Sequence, residues 1–312
     1  MLSEFELIRK YFDRPARQPQ DGSRAAASVA LGVGDDAALL RPSAGMELAV
    51  STDLLLEGRH FRAGADAQKL GHKSLAVNLS DMAAMGAAPR WATLAIALPA
   101  ADEAWLDGFA QGFFALAERF GVELIGGDTT RGPRAICVTI LGELPRGLAL
   151  YRAGANPGDD IWVSGELGGA ALGLVRPENA AAARRLHEPE PRVELGERLR
   201  GIASAAIDVS DGFAQDLGHV LERSGVGAVV EYQRLPRFAG TQRQHVLSGG
   251  DDYELVFTAR QDRRAELAAL ARDLGLALAR VGSIQKGEPK LLVLDQDHAP
   301  IAVAHGFDHF SP

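Results

Sequence analysis

Seven aspartates lie in five short clusters rich in glycine or polar residues, and these clusters are the part of the chain best suited to chemistry. The clusters are Gly34-Asp35-Asp36-Ala37, Ser51-Thr52-Asp53, Asn78-Leu79-Ser80-Asp81, Gly126-Gly127-Asp128-Thr129 and Asp208-Val209-Ser210-Asp211-Gly212. A single such cluster is typical of a turn, because Asp and Asn side chains hydrogen-bond to nearby backbone groups.

Several clusters that converge indicate more than turns. Two carboxylates about 4 Å apart repel by about 4 kcal/mol at an effective dielectric near 20, which a marginally stable fold does not tolerate unopposed. Divalent cations relieve this repulsion, and oxygen ligands without neighbouring histidine or cysteine favour Mg²⁺ or Mn²⁺ over zinc. The clusters therefore predict a multi-metal site that handles phosphate.

Length and composition indicate a two-domain protein of ordinary globular type. The chain has 312 residues and a net charge of −8, and it lacks the basic stripe that a nucleic-acid or membrane-surface partner would require. The single cysteine, Cys137, lies in an apolar run and is predicted to be a buried strand residue, so no disulfide within the chain is expected. Neither a signal core nor a membrane span is recognisable, which predicts a cytoplasmic enzyme.

Hydrophobic periodicity predicts strands and helices that alternate, with domains at 1–145 and 146–312. A short helix should end before Pro15, followed by a mobile loop over 13–28. The predicted strands are 29–33, 47–51, 91–98, 122–125, 135–144, 160–164, 227–232, 253–259, 277–284 and 290–295, and the longer predicted helices are 66–85, 102–120, 191–203, 213–224 and 261–274. The first two strands run directly into aspartate clusters, so carboxylates at strand ends are expected.

Two further segments allow alternative interpretations. On the helix over 66–85, Lys73 and Asp81 lie on one side with Asn78 close by, which suits either a solvated face or the wall of a site. The loop Gly165-Glu166-Leu167-Gly168-Gly169 precedes a helix and is either an anion site at the helix N-terminus or a tight turn between strand and helix.

The order and spacing of the motifs resemble the thiamine-monophosphate kinase family. The matching segments are 34–38, 51–61, 72–89, 126–132, 151–159, 208–212, the Gly-Gly-Asp-Asp-Tyr-Glu-Leu segment 249–255 and 306–310. The resemblance spans nearly the whole chain. Several motifs are shared with a wider superfamily of ATP-dependent enzymes that includes aminoimidazole ribonucleotide synthetase, selenophosphate synthetase and a hydrogenase maturation factor.

This resemblance implies a two-domain α/β (α+β) fold of the aminoimidazole ribonucleotide synthetase type, with mixed sheets flanked by helices. It implies an N-terminal domain that binds metal and ATP and forms a homodimer through a shared barrel, and a C-terminal domain that completes the substrate site. The implied reaction is direct, Mg²⁺-assisted transfer of the ATP γ-phosphoryl group to thiamine monophosphate, with several Mg²⁺ or possible Mn²⁺ ions and no covalent nucleophile.

The resemblance also implies residue roles. The implied metal ligands are Asp35, Asp53, Asp81, Asp128, Asp208 and Asp211, helped by hydroxyl or carbonyl oxygens of Ser51 and Thr52. The implied ATP contacts are Gly127, Asp128, Arg152 and Ser210. The implied substrate contacts are His60, Asp251 and Phe307. The family usually has Glu where this chain has Asp251, and a larger or polar-tipped aromatic where it has Phe307.

Another ATP-dependent synthetase or ligase of the superfamily is the alternative. Selenophosphate synthesis asks for a reactive cysteine or selenocysteine near the N-terminus, and hydrogenase maturation asks for a C-terminal cysteine tail, neither of which this sequence contains. A non-catalytic nucleotide-binding module is a third possibility, which turnover of ATP with thiamine monophosphate would exclude.

Overall fold

The structure, a computed structural model, describes residues 4–14, 28–304 and 306–307. Most of the loop expected over 13–28 lies outside these residues. The chain forms two compact units, Met1–Met82 with Ala87–Gly147, and Ala83–Gly86 with Leu148–Pro312. Among the described residues, no helix is both long enough and apolar enough to cross a membrane.

The first unit is built on a mixed four-stranded sheet. Its elements are α1 (Glu4–Tyr11), β1 (Val29–Leu31), β2 (Leu39–Leu40), β3 (Met46–Leu56), α2 (Ala67–Met85, whose last turn belongs to the second unit), β4 (Ala88–Leu98), α3 (Glu103–Phe120), β5 (Glu123–Arg131) and β6 (Ala135–Pro145). The strand order is β3-β6-β4-β5, and only the β4–β5 pair is parallel. The strands β1 and β2 form a separate antiparallel pair.

Helix α3 shows how local sequence sets the helix ends in this unit. Asp102 caps the N-terminus by accepting hydrogen bonds from the backbone N–H groups of Ala104 and Trp105, and Gly121 ends the helix in a left-handed conformation, φ 71°. The helix packs closely on α2 because Gly112 carries no side chain: a Cβ there would overlap the carbonyl of Gln68.

The second unit contains a six-stranded sheet with helices. Its elements are β7 (Asp160–Ser164), α4 (Gly169–Val175), α5 (Ala180–His187), α6 (Val193–Leu199), β8 (Ala203–Asp208), α7 (Phe213–Ser224), β9 (Gly227–Glu231), α8 (Arg243–Ser248), β10 (Leu255–Ala259), α9 (Arg264–Leu274), β11 (Leu278–Gln285) and β12 (Leu291–Leu294). The strand order is β12-β9-β11-β7-β10-β8, antiparallel except for the β12–β9 pair. One face carries a core in which Ile161, Ile207 and Val256 pack with Phe213 and Leu217 of α7.

Two aspartate clusters lie inside strands rather than after them. The strands predicted at 47–51 and 122–125 extend to Leu56 and Arg131, so Asp53 and Asp128 are both strand residues. The extension of β3 comes from pairing with β6 along all eleven of its residues, a non-local effect that outweighs the low strand propensity of Asp. Strand β8 and helices α5 and α8 were not predicted; β8 begins Ala-Ser-Ala-Ala, small residues that carry little strand signal.

Candidate functional site

Strand β3 and helix α2 bring two aspartate clusters of the first unit into contact. The Ser51 hydroxyl donates a hydrogen bond of 2.5 Å to Oδ2 of Asp81. Asp53 lies two residues beyond Ser51 on the same face of β3, and its side chain is half-buried. Ser51, Asp53 and Asp81 therefore present oxygen atoms on one side of the sheet.

The Thr52 side chain lies on the opposite face of the sheet. Its Oγ1 atom is 2.9 Å from Oγ1 of Thr139, which is directly opposite on β6. The hydroxyl therefore does not share the side of Ser51 and Asp53. Asp35, on an exposed turn, accepts the backbone N–H of Asp36 at 2.9 Å.

The strand register places the Asp53 and Gly127 positions on one row across the sheet. Asp53 pairs with Val138, which pairs with Leu94, which pairs with Gly127. Three strand spacings separate the two ends of this row, about 14 Å along the sheet. Gly127 has φ 148°, and a Cβ there would overlap the carbonyl of Leu94, so the backbone leading into exposed Asp128 requires glycine.

Lys73 and Asn78 of the polar stripe on α2 are buried and Asp81 is half-buried, so the interpretation of this stripe as a solvated face was wrong. Lys73 is 4% and Asn78 is 0% exposed. The Asn78 amide donates to the Ser74 carbonyl at 3.1 Å. The interpretation as the wall of a site stays open.

The ring of His60 is oriented by the backbone of its own turn. Its Nδ1 atom accepts the N–H of Leu56 at 2.9 Å. A neutral imidazole in this arrangement carries its proton on Nε2 and so offers a donor there.

In the second unit, the turn after β8 is held by Asp216. One carboxylate oxygen, Oδ2 of Asp216, accepts the backbone N–H groups of Ser210, Asp211 and Gly212 at 3.1, 3.1 and 3.0 Å. Burial and the negative charges of Asp208 and Asp211 raise the pKa of Asp216 to about 8, against the lowering effect of the hydrogen bonds. The carboxylates of Asp208 and Asp211 are thus close enough to Asp216 to disfavour its charged form.

The carbonyl groups of the same turn hold two predicted substrate residues. Ser210 O accepts the N–H of Asp251 at 2.8 Å, and Asp211 O accepts the N–H of Phe307 at 3.1 Å. The predicted metal turn and the predicted substrate residues are therefore joined through the backbone.

Asp251 and Tyr253 both adopt left-handed backbone conformations, with φ of 65° and 51°. Such conformations cost non-glycine residues about 1–3 kcal/mol each and tend to cluster at functional sites. The Tyr253 hydroxyl donates to Oδ1 of Asp251 at 2.9 Å. The strained segment therefore aims the Asp251 carboxylate and fixes it with a hydrogen bond.

The other two acidic residues of this segment are structural. Asp252 accepts the N–H groups of Gly168 and Ala170 at 2.6 and 3.2 Å, so it occupies the N-terminus of α4, where the sequence allowed an anion site. The loop 165–169 is the tight turn between strand and helix. Burial raises the pKa of Asp252 to about 7, although these two N–H groups and Arg185 lower it.

Glu254 is the centre of a buried ion-pair network. It accepts hydrogen bonds from Arg192 at 2.6 and 2.5 Å, from Arg185 at 2.9 Å and from the Ser164 hydroxyl at 2.7 Å. Burial alone would raise the pKa of Glu254, but Arg192, with Arg185 and Ser164, lowers it below its ordinary value. This network fixes Glu254, the residue that directly follows the strained positions Asp251 and Tyr253.

The donor set fits Mg²⁺ bound jointly with phosphate. Within residues 4–14, 28–304 and 306–307, no three His, Cys, Asp or Glu side chains are grouped so that they could hold an ion by themselves. Mg²⁺ is commonly bound by one or two carboxylates together with substrate phosphates. The Ser51–Asp81 pair supplies oxygens of this kind in the first unit, and Asp208 and Asp211 supply them separately in the second unit.

Sequence reasoning missed the roles of Asp216 and Tyr253. Asp216 is an acidic residue in the first turn of a correctly predicted helix, a signal that could have suggested a bond to the preceding turn. Tyr253 lies inside the Gly-Gly-Asp-Asp-Tyr-Glu-Leu motif, but its left-handed backbone is not visible in sequence.

Arg152, which was predicted to contact ATP, has an exposed side chain. Its backbone carbonyl accepts the Ser224 hydroxyl at 3.3 Å.

Family models cover most of the chain. Residues 34–144 match the AIR synthase related protein, N-terminal domain, and residues 156–293 match the AIR synthase related protein, C-terminal domain. The chain is 42% identical to the thiamine-monophosphate kinase of Salmonella typhimurium over an alignment of 328 positions, which covers 99% of this chain and 98% of the relative.

Solved structures show the same similarity. The thiamine-monophosphate kinase of Stenotrophomonas maltophilia is 48% identical, with a TM-score of 0.81, over 85% of this chain and 91% of that one. AaThiL complexed with AMPPCP and TMP is 28% identical, with a TM-score of 0.76, over 86% and 89%. The hydrogenase maturation protein HypE in complex with ATP, 20% identical with a TM-score of 0.77 over 96% and 94%, shares the fold.

Proposed function

Because the chain belongs to the thiamine-monophosphate kinase family, we propose that it transfers the γ-phosphoryl group of ATP to the phosphate of thiamine monophosphate, giving thiamine diphosphate and ADP. The observation that carries this proposal is the similarity over nearly the full length of both chains. AaThiL, a solved relative, is complexed with AMPPCP and TMP. The chain is thus a phosphotransferase whose acceptor is a phosphate group.

We expect transfer to be direct, because the single cysteine is a poor nucleophile and the aspartates of the site are assigned to metal binding. Cys137 is half-buried on β6, and burial together with the charge of Asp53 raises the pKa of its thiol, so little thiolate forms at neutral pH. The acceptor phosphate is already ionised at neutral pH and needs no strong general base. The protein therefore contributes positioning and charge neutralisation, which is what phosphoryl transfer requires.

We assign metal binding to the aspartate clusters. The proposed ligands are Asp35, Ser51, Thr52 through its backbone oxygen, Asp53, Asp81 and Asp128 in the first unit, and Asp208 and Asp211 in the second. Mg²⁺, or Mn²⁺, held by these residues would neutralise the negative charge of the phosphates. Ser51 orients the Asp81 carboxylate, and Asp216 holds the turn that carries Asp211.

Gly127, Asp128, Arg152 and Ser210 are the proposed ATP contacts. Glycine at 127 lets the backbone approach a phosphate closely, and the exposed side chain of Arg152 suits a phosphate oxygen. His60, Asp251 and Phe307 are the proposed contacts to thiamine monophosphate. His60 offers Nε2–H to the acceptor, and the half-exposed ring of Phe307 suits the cationic thiazolium, an attraction of about 0.5–2 kcal/mol.

A synthetase or ligase of the wider superfamily is the runner-up. Its support is the shared fold with HypE, which at 20% identity says nothing about activity. The assay below separates the two, because a synthetase would not use thiamine monophosphate as acceptor.

We place the enzyme in the cytoplasm as a prediction from the sequence alone.

A homodimer formed by the first units is also part of the proposal. Strand β3 is an edge strand of the four-stranded sheet, and alternate residues on the face away from Asp81 are apolar and exposed. These residues are Met46, Leu48, Val50, Leu54 and Leu56, with Val50 60% exposed. A second copy that contributes strands to a shared barrel would cover this face.

Incubation with γ-labelled ATP, with and without thiamine monophosphate, tests the proposed reaction. We expect label in thiamine diphosphate, stoichiometric ADP and no label on denatured protein. Label retained on the protein would contradict direct transfer. A preference for free thiamine, thiamine diphosphate or formylglycinamidine ribonucleotide as acceptor would contradict the assigned substrate.

A further inference from the structure

The first turn of α7 holds the segment that contains Phe307. Gln215 Nε2 donates a hydrogen bond of 3.0 Å to the backbone carbonyl of Phe307. The N–H of the same Phe307 donates to the carbonyl of Asp211 at 3.1 Å. The N–H of Phe307 is therefore bonded to the Asp211 turn, and its carbonyl is bonded to the first turn of α7, which directly follows that turn.

The approach of this segment to α7 is close. A Cβ at Gly306 would lie 2.6 Å from Asp211 O and 2.7 Å from Gln215 Oε1, so no side chain is tolerated there without movement. A third hydrogen bond holds a residue that precedes Gly306 in the chain: the Ser248 hydroxyl donates to the Ala304 carbonyl at 2.9 Å. Ala304 and Phe307 are thus each held by hydrogen bonds to other parts of the second unit.

Gln215 and Asp216 are neighbours in sequence, but their side chains hold different segments. Asp216 accepts the N–H groups of Ser210, Asp211 and Gly212, which fixes the turn itself. Gln215 does not bond to the turn in the described contacts; it bonds to Phe307, which rests on the turn. Loss of the Gln215 side chain therefore removes the hydrogen bond to the Phe307 carbonyl and leaves the Asp216 hydrogen bonds in place.

We propose that Gln215 is a positioning residue for the thiamine monophosphate acceptor, acting through the backbone of Phe307. This inference rests on the proposed function, in which the half-exposed Phe307 ring faces the acceptor. With its N–H and its carbonyl both bonded, the backbone of Phe307 and the direction of its Cα–Cβ bond are set before substrate binds. Without the Gln215 hydrogen bond, ordering of the segment must be completed on binding, which weakens acceptor binding and leaves ATP binding unchanged.

The test compares Gln215→Met with Gln261→Met. Methionine keeps the length of the side chain and removes the donor without adding charge near Asp211. Gln261 is a matched control, because its Nε2 also donates to a backbone carbonyl, that of Gly158, at 3.0 Å and from an exposed position. Steady-state kinetics are measured for both substrates.

We expect Gln215→Met to raise KM for thiamine monophosphate by about 3- to 10-fold, the effect of one hydrogen bond, with kcat and KM for ATP unchanged. Hydrogen–deuterium exchange of the peptide containing Ala304–Phe307 should be faster in this variant without ligands. Gln261→Met should match the wild type in both measurements.

Three outcomes would overturn the inference. They are an unchanged KM for thiamine monophosphate in Gln215→Met, an equal rise in both KM values, or the same effect in Gln261→Met. The wild type separates this result from the proposed function: if wild-type protein does not use thiamine monophosphate, both fail, whereas normal wild-type turnover with an unaffected Gln215→Met variant rejects the positioning role alone.

Discussion

The Ser51 hydroxyl and the Asp81 carboxylate are joined by a hydrogen bond of 2.5 Å, although they lie 30 residues apart on a strand and a helix. This contact connects two aspartate clusters in the first unit. It therefore fixes the orientation of the Asp81 carboxylate relative to strand β3.

Activity should require Mg²⁺ or Mn²⁺ and depend on Asp53 and Asp81. Asp53→Asn and Asp81→Asn should each lower kcat by about 100-fold, because each removes a negative charge that binds the metal, and the metal is what neutralises the phosphates. The fold should survive, since loss of a carboxylate relieves repulsion in the metal-free protein. Asp107→Asn, at an exposed position of α3, is the control. Undiminished turnover in excess EDTA would reject the metal assignment.

Asp216 should be replaceable by asparagine but not by alanine. Asp216→Ala removes the acceptor for three backbone N–H groups and should lower the free energy of unfolding by about 3 kcal/mol, since unpaired buried donors cost about 1–3 kcal/mol each. Asp216→Asn keeps one oxygen in place and should retain most stability and Mg·ATP affinity. Denaturant unfolding and ATP kinetics measure both; equal losses in the two variants would disagree with the geometry.

Tyr253→Phe should weaken acceptor binding. The change deletes the hydroxyl that donates to Asp251, which removes one hydrogen bond that orients that carboxylate, so KM for thiamine monophosphate should rise by about 3- to 10-fold while KM for ATP stays constant. Tyr232→Phe is the matched control, because both tyrosines are 8% exposed and the described side-chain contacts of Tyr232 are made by arginines over its ring. A similar effect in both variants would argue against this role.

Glu254→Gln should destabilise the second unit in a pH-dependent way. Breaking a buried ion pair costs about 3–5 kcal/mol. The folded-state pKa of Glu254 is lowered from 4.5, so the contribution of this carboxylate is present above pH 4.5 and is lost as the pH falls through the lowered pKa. The stability difference from the wild type should therefore shrink in acid. Glu266→Gln, which breaks the exposed pair with Arg263, should change little at any pH.

Val50→Glu should disrupt the proposed dimer. Sedimentation of wild-type protein at micromolar concentration should give twice the 33.1 kDa chain mass, and the variant should move toward the monomer, since a charge would be buried in an apolar interface. Val175→Glu is the control, because Val175 is equally exposed at 59% in the second unit. Wild-type protein that sediments only as a 33.1 kDa species would count against the dimer.

Local sequence determined much of the secondary structure. Helix α7 was predicted at 213–224 and is observed at Phe213–Ser224, because its apolar period and the glycine after it act within a few residues. The Asp102 cap and the Gly121 stop of α3 are of the same kind. The motif series also indicated the family and its fold, and the comparisons confirm both.

Tertiary structure decided where the reactive groups lie within these elements. Asp53 and Asp128 are strand residues because β6 and β4 pair with their strands over long stretches, and pairing of distant segments leaves no local signal. The N-terminus of α4 is filled by Asp252, more than 80 residues away, so a glycine loop that reads as an anion site is a structural turn. The hydrogen bonds that hold Phe307 to Gln215 and to the Asp211 turn likewise join residues far apart in sequence, and such contacts form only once the chain has packed.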